Sequence, residues 1–399
     1  MFRSNFNTFL AIAVSAVLIS GCSTFKSITD TIGSASDDAT DDEAQRHVTA
    51  EEWTAAIIAY DKEIAKTPKE ASAWGWRAYC YAAANNNRKA IADASKAISL
   101  DPEADWAYDT RAGAYRSLKM YKEAVADYSE EIKLKPDEAD NYISRADVLD
   151  DMKELKKALV DYDKALQIDS TSALALNNRG WCYLELGEYD KALDDFDACL
   201  EQDDKYTNAY YNRAVTNFRR GKATEALADL KHVIDDDPSE YTAYLDRGFI
   251  YLTKKEPDKA LAEFNLVSDR IADAAGVNWG RIYSYLTNKI LHKDDDARKE
   301  LKTVLDESSS NDWPYAIALY LDGRLNEKQL LDLCSCDDER ADARSVIAIS
   351  QLLVGEDAKA HDNFLWLKQH STANNRSMIL SLAGLKDPSF LTSKANLHN

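Results

Sequence analysis

Arginine recurs every 34 residues in this chain, at Arg77, Arg111, Arg145, Arg179, Arg213, Arg247 and Arg281. Alanine runs in the same phase at Ala56, Ala90, Ala124, Ala158, Ala192, Ala226 and Ala260. So regular a period means one small unit copied along an array. A 34-residue period is the signature of a helix–turn–helix unit, and such units stack into a solenoid. Solenoids present extended surfaces, so the period points to binding as well as to fold.

Neighbouring columns fill out the unit. A small residue follows each arginine (Ala78, Ala112, Ala146, Gly180, Ala214, Gly248) until Ile282 breaks the column. Four residues after each alanine stand Tyr60, Ala94, Tyr128, Tyr162, Phe196, Leu230 and Phe264. Two helices cross closely only where both contact points are small, and the large side chains fill the flanks. Proline at 68, 102, 136 and 238 ends one unit before the next, because it cannot continue a helix. Asn85-Asn86-Asn87 and Glu185-Leu186-Gly187 supply turns between paired helices.

Tyr210-Tyr211-Asn212-Arg213-Ala214, and Leu176 to Tyr183 followed by Tyr189 to Phe196, closely resemble the tetratricopeptide (TPR) repeat. The resemblance spans Ala56 to Arg281, and Trp53 to Pro68 reads as the second helix of a degenerate first repeat. It implies an all-α fold, a right-handed superhelical solenoid with a degenerate C-terminal helical region. An acidic column (Asp93, Asp127, Asp161, Asp195, Asp229, Glu263) is in phase with the arginines. A ladder of structural Arg–carboxylate pairs is therefore expected, rather than a row of guanidiniums free to grip an acidic ligand. After Arg281 the phase slips, with Ala297 and Leu301 on a second helix displaced by three residues from Asp294. A helix near Glu327–Leu333 and a last hairpin marked by Ser345–Leu353, Gly355, Ala360 and Phe364 follow. This region is similar to that of TPR lipoproteins of the NlpI type, which are outer-membrane adaptors. Ser377–Leu385 is expected to cap the array.

The N-terminus reads as a targeting segment. Arg3 is its one charge, Phe9 to Ile19 is apolar and too short to span a bilayer, and Leu18-Ile19-Ser20-Gly21-Cys22 resembles a lipobox. The resemblance implies cleavage before Cys22 and its lipidation with acyl chains. Anchoring would then scale at about 0.8 kcal/mol per buried CH₂. It also implies a bacterial envelope location, at the outer membrane facing the periplasm. Residues 23–50 are acidic and polar, a flexible tether. The expected divisions are thus 1–22 signal and lipobox, 23–50 tether, 51–306 repeat array, 307–373 degenerate helices, and 374–399 cap and tail.

A formal net charge of −20 argues against nucleic acid as a partner. No His-x-x-x-His, phosphate-cradling glycine loop or Gly-x-Ser-x-Gly elbow is present, so the chain reads as non-enzymatic and without a cofactor. Cys80, Cys182 and Cys199 read as buried small residues; Cys334-Ser335-Cys336 leaves a local disulfide or two free thiols open and makes a poor metal site.

The positions two before, two after and five after each arginine share one face of the first helix. In TPR proteins this face lines the concave groove. Here it begins as Gly75, Tyr79, Ala82; Asp109, Gly113, Arg116; Ile143, Asp147, Asp150. It becomes Asn177, Trp181, Leu184; Tyr211, Val215, Phe218; Leu245, Phe249, Leu252; Trp279, Tyr283, Leu286. Either these apolar rows face a groove that takes a guest, or they pack on one another and on the C-terminal helices. The open groove is the expectation carried forward. It makes the chain a membrane-anchored scaffold that binds a partner protein segment at Trp181, Leu184, Tyr211, Val215, Phe218, Leu245, Phe249, Leu252, Trp279 and Tyr283. Asp147 and Asp150, on a solvated acidic helix face, would favour a basic flank. The alternative is a carrier that holds a lipid or glycan against the aromatic rows.

Overall fold

Every repeat turns at one residue in the left-handed backbone region. Asn85, Lys119, Lys153, Gly187, Gly221 and Lys255 keep the 34-residue spacing, with φ between 59° and 83°. At each, the next N–H reaches back across the helix end: Asn86 to Tyr81 at 2.7 Å, Glu154 to Leu149 at 2.8 Å, Glu256 to Tyr251 at 2.9 Å. The closure is a Schellman motif, made by backbone rather than side chains. It explains why lysine occupies positions that favour glycine: side-chain identity contributes little to the closure.

The computed structural model describes residues 53–270, 274–308 and 313–370, which form nineteen helices and no strand. They belong to two compact units that divide between Ser170 and Thr171. Unit 1 opens with α1 (Trp53–Lys66), the lone second helix expected of a degenerate repeat. Three hairpins follow: α2 (Ala71–Ala83) with α3 (Asn87–Leu100), α4 (Asp105–Ser117) with α5 (Tyr121–Leu134), and α6 (Ala139–Asp151) with α7 (Leu155–Ile168).

Unit 2 continues with α8 (Ala173–Glu185), α9 (Tyr189–Gln202), α10 (Thr207–Arg219), α11 (Ala223–Asp236), α12 (Tyr241–Thr253), α13 (Pro257–Arg270), α14 (Ala274–Ile290) and α15 (Asp294–Glu307). The phase slip has a simple cause. Helix α14 has 17 residues where α12 has 13, and its closing left-handed residue, His292, falls three later than the period would place it. The insertion is absorbed as an extra helical turn. Unit 2 then adds α16 (Trp313–Leu321), α17 (Glu327–Leu333), α18 (Asp337–Leu353) and α19 (Asp357–His370). Helix α18 starts at Asp337, not near Ser345 as expected, and packs against α14, α16, α17 and α19. The signal segment, Cys22, the tether and the Ser377–Leu385 cap lie outside the described residues.

Helix pairing follows the small-residue columns. A Cβ added at Gly180 would lie 2.8 Å from Phe196, and one at Gly248 would lie 2.4 Å from Phe264. Where the second helix carries Tyr128 or Tyr162, the first carries Ala112 or Ala146, all four buried.

Candidate functional site

The arginine column is structural, as its carboxylate phase indicated. Arg77 Nε donates to Asp93 Oδ2 at 2.6 Å and Nη2 to Oδ1 at 2.8 Å. Arg111–Asp127, Arg145–Asp161, Arg179–Asp195 and Arg213–Asp229 repeat the two-pronged contact, and Arg247 Nη2 donates to Glu263. A further nitrogen crosses to the preceding second helix: Arg77 to Asp61, Arg111 to Ser95, Arg145 to Ser129, Arg213 to Asp197. Each of these four arginines therefore staples two hairpins. The hydrogen bond to Asp93 holds the Arg77 guanidinium above its ordinary pKa. After the slip, Arg281 turns to Glu307.

The apolar rows of unit 2 do not form the expected open groove. Leu245, Phe249, Leu252, Trp279, Tyr283 and Leu286 are buried, with Leu245 and Phe249 at 0% exposure. They share one core with Ile317 and Ala318 of α16, Leu330 of α17, Val346 and Ile347 of α18, and Phe364 of α19. Phe249 meets Tyr283 edge-on at 4.7 Å, and Trp279 stacks on Tyr283 at 5.4 Å. Leu184 and Val215 are buried with Phe196 in a neighbouring cluster. Aromatic density alone does not tell a binding face from an interior one, and here the additional C-terminal helices belong to the same core. Of the ten expected apolar contacts, Trp181, Tyr211 and Phe218 remain half-exposed, and the Tyr211 hydroxyl donates to Asp246 at 2.7 Å.

Unit 1 presents the same face with polar chemistry. Asp147 accepts a hydrogen bond from the Tyr162 hydroxyl at 2.6 Å and pairs with Arg116 at 3.5 Å. Arg116 also binds Asp151 at 2.7 Å. Asp150 lies 4.0 Å from Lys153. Asp147 and Asp150 are thus half-buried and engaged rather than a freely solvated pair. Beside them the sequence reading missed Glu131 of α5. It is buried, its Oε2 has no hydrogen-bond partner, and it lies near Asp109, Asp105 and Asp140. Desolvation, then these three carboxylates, push its pKa far above the usual range. Burial, then Asp105 and Asp140, push Asp109 up in the same way. The signal was present in the period: this column otherwise reads Ala97, Ala165, Cys199, Val233, Val267, after the half-buried Glu63 of the degenerate repeat.

Cys80, Cys182 and Cys199 are buried, and burial pushes the Cys80 thiol up to about 12. Cys334 and Cys336 are free thiols. Among the described residues no three His, Cys, Asp or Glu side chains are grouped to hold a metal ion. No described helix is long and apolar enough to cross a membrane.

Family profiles described as tetratricopeptide repeat match residues 42–105, 139–172, 173–206 and 211–275. The chain therefore carries TPR repeats, in phase with the arginine and alanine columns. No curated protein matches it in sequence. Among solved structures, the APC/C hetero-tetramer Cut9–Hcn1 is similar with a TM-score of 0.50 and 14% identity, over 64% of this chain and 51% of that one. A tetratricopeptide repeat protein from Parabacteroides merdae gives 0.48 and 20%, over 66% and 98%. YrrB, described as a TPR protein with an unusual peptide-binding site, gives 0.39 and 28%, over 46% and 95%. The Cut9–Hcn1 likeness is one of fold.

Proposed function

We propose that this chain is a lipid-anchored adaptor of the bacterial cell envelope, held at the outer membrane through Cys22, whose repeats dock a segment of a partner protein. TPR repeats are a protein-interaction scaffold, and no catalytic family matches the chain. The docking face is the first-helix face of unit 1 rather than the apolar rows of unit 2. The observation that carries this choice is burial. Leu245, Phe249, Trp279 and Tyr283 lie in the protein's own core, whereas Asp109, Gly113, Arg116, Asp147 and Asp150 stay partly exposed. Carboxylates there favour a basic segment, through attraction that speeds encounter and selects partners. The lipid or glycan carrier loses its footing for the same reason: its aromatic lining is already packed against the chain itself.

A photo-crosslinking residue at Asp150, in cells, tests the docking face. Covalent capture of a protein segment from that position, and none from the exposed Lys122 on the second helix, is the expected result. Equal capture from both, or none from Asp150, would overturn it. Cys22→Ser should move the protein from the membrane to the soluble fraction; retention would remove the anchor from the proposal.

A further inference from the structure

Two polar groups in unit 1 depart from the pattern of their repeat-mates. The first is Glu131, only 3% exposed, in a column that neighbouring hairpins fill with alanine, cysteine or valine. Helix packing needs no carboxyl there, since Ala97 and Ala165 serve the same position. The second is the hydroxyl of Tyr128, one turn earlier on α5. Its counterpart Tyr162 donates to Asp147. The residue equivalent to Asp147 in the Tyr128 hairpin is Gly113, and a Cβ built there would still lie 4.0 Å from the Tyr128 hydroxyl, with nothing nearer. No hydrogen bond of that hydroxyl is found among the described residues. Tyr128 and Glu131 stand one turn apart on the same buried face of α5, and Asp109, Arg116 and Asp147 act on Tyr128 electrostatically.

The surrounding charge is one-sided. Glu131 is exposed to the fields of Asp109, Asp105 and Asp140, against the single cation Lys135. The Lys135 ammonium binds Asp105 at 2.6 Å, and Arg116 is held by Asp151 and Asp147. Neither cation bonds Glu131. Burying an unpaired acid costs free energy, and its presence in a column that elsewhere takes a small residue points to a use.

We propose that this notch, walled by Asp105, Asp109, Glu131 and Asp140 and backed by Tyr128, receives the ammonium group of a lysine side chain of the docked partner segment. The inference rests on unit 1 being the docking face. An ammonium carries three donors and no acceptor, which suits Glu131 Oε2, an Asp109 oxygen and the Tyr128 hydroxyl oxygen. The lysine stem would pass over Gly113, where no side chain stands. A compact ammonium fits a notch opened by one missing side chain better than a planar guanidinium does. A metal ion is disfavoured, because the acids are not grouped as ligands. Because Glu131 and Asp109 hold protons above the usual carboxylate range, the incoming cation would displace one, and affinity should rise with pH.

The test is NMR on the full chain labelled with ¹³C at glutamate carboxyls, with Glu131 assigned by its absence from Glu131→Gln. The probes are the capped tripeptides acetyl-Gly-Lys-Gly-amide, its norleucine and arginine analogues, spermidine and CaCl₂. The expected result is that the lysine peptide shifts the Glu131 signal and lowers its titration midpoint by at least one pH unit. The norleucine peptide should leave it unmoved, and the arginine peptide should bind at least threefold more weakly. Glu131→Gln, which keeps the volume and removes the ionisable carboxyl, should weaken the lysine peptide at least tenfold at pH 8 with helicity unchanged. A norleucine effect equal to that of lysine, full binding by Glu131→Gln, or tighter binding of Ca²⁺ or spermidine would overturn the proposal. If Glu131→Gln still crosslinks its partner from Asp150 undiminished, this inference fails while the docking face stands. If the wild type captures nothing, the docking face itself fails.

Discussion

The three face positions of the first helix carry opposite chemistry in the two units. In the second and third hairpins of unit 1 they are Asp109, Gly113, Arg116 and Ile143, Asp147, Asp150; in the Arg247 and Arg281 repeats of unit 2 they are Leu245, Phe249, Leu252 and Trp279, Tyr283, Leu286. The backbone beneath is the same, with the same Schellman closures, and the Arg–carboxylate column continues as far as Arg247 and Glu263. The difference lies in what else shares the core. Unit 2 has four further helices after α15, and their apolar side chains join its face residues in one cluster. Unit 1 has none, and its face remains charged and partly exposed. A repeat array can thus use one set of positions for folding in one stretch and leave them available for recognition in another.

The largest test of this contrast is Phe249→Asp. A buried charge in a sealed aromatic core should cost about 4 kcal/mol or more, read as loss of the unit 2 melting transition. Phe218→Asp, at a half-exposed site, should cost less than half as much; equal costs would erase the distinction. Next comes a pair of glycines. Gly248→Ala drives a Cβ to 2.4 Å from Phe264 and should cost about 2 kcal/mol by denaturant unfolding. Gly113→Ala meets open space on a helix and should stabilise by about 0.5 kcal/mol.

The acid notch sets a pH dependence. Folding raises the Glu131 pKa, so the folded chain keeps a proton that the unfolded chain releases. This contribution is intact below the ordinary glutamate value and falls away as pH climbs from there toward the raised value. Between pH 5 and 8 wild type should lose up to about 1.4 kcal/mol per pH unit relative to Glu131→Gln. Asp109 adds to the trend; Lys135 opposes it at Glu131, where Asp105 and Asp140 reinforce it. Parallel stability curves for the two proteins would contradict the buried acid. Effects as small are expected at the turns: Lys119→Gly and Lys153→Gly relieve a left-handed lysine and should each stabilise by about 0.5 kcal/mol.

The sequence disclosed the repeat because copied contacts leave copied residues. The Arg77 and Asp93 columns predicted their pairing, and the displacement before Asp294 marked the extra turn of α14. The face residues were less legible. Trp279 and Tyr283 would look the same in an open groove or a closed core, because the deciding atoms belong to α16, α17 and α18, outside the clean period. Glu131 was legible in principle, as a carboxyl in a small-residue column. The engagement of Asp147 was not, because its partners Tyr162 and Arg116 come from a neighbouring helix and a neighbouring hairpin.

Hydroxyl-radical footprinting of the full chain, read by mass spectrometry, tests most directly the claim that the Leu245 and Trp279 rows of unit 2 are sealed while the face of unit 1 is not. The account predicts strong protection of Phe249, Trp279 and Tyr283 beside ready oxidation of half-buried Tyr79 in unit 1. Oxidation of Phe249 and Tyr283 at the rate of Tyr79 would show an open apolar trough and contradict it.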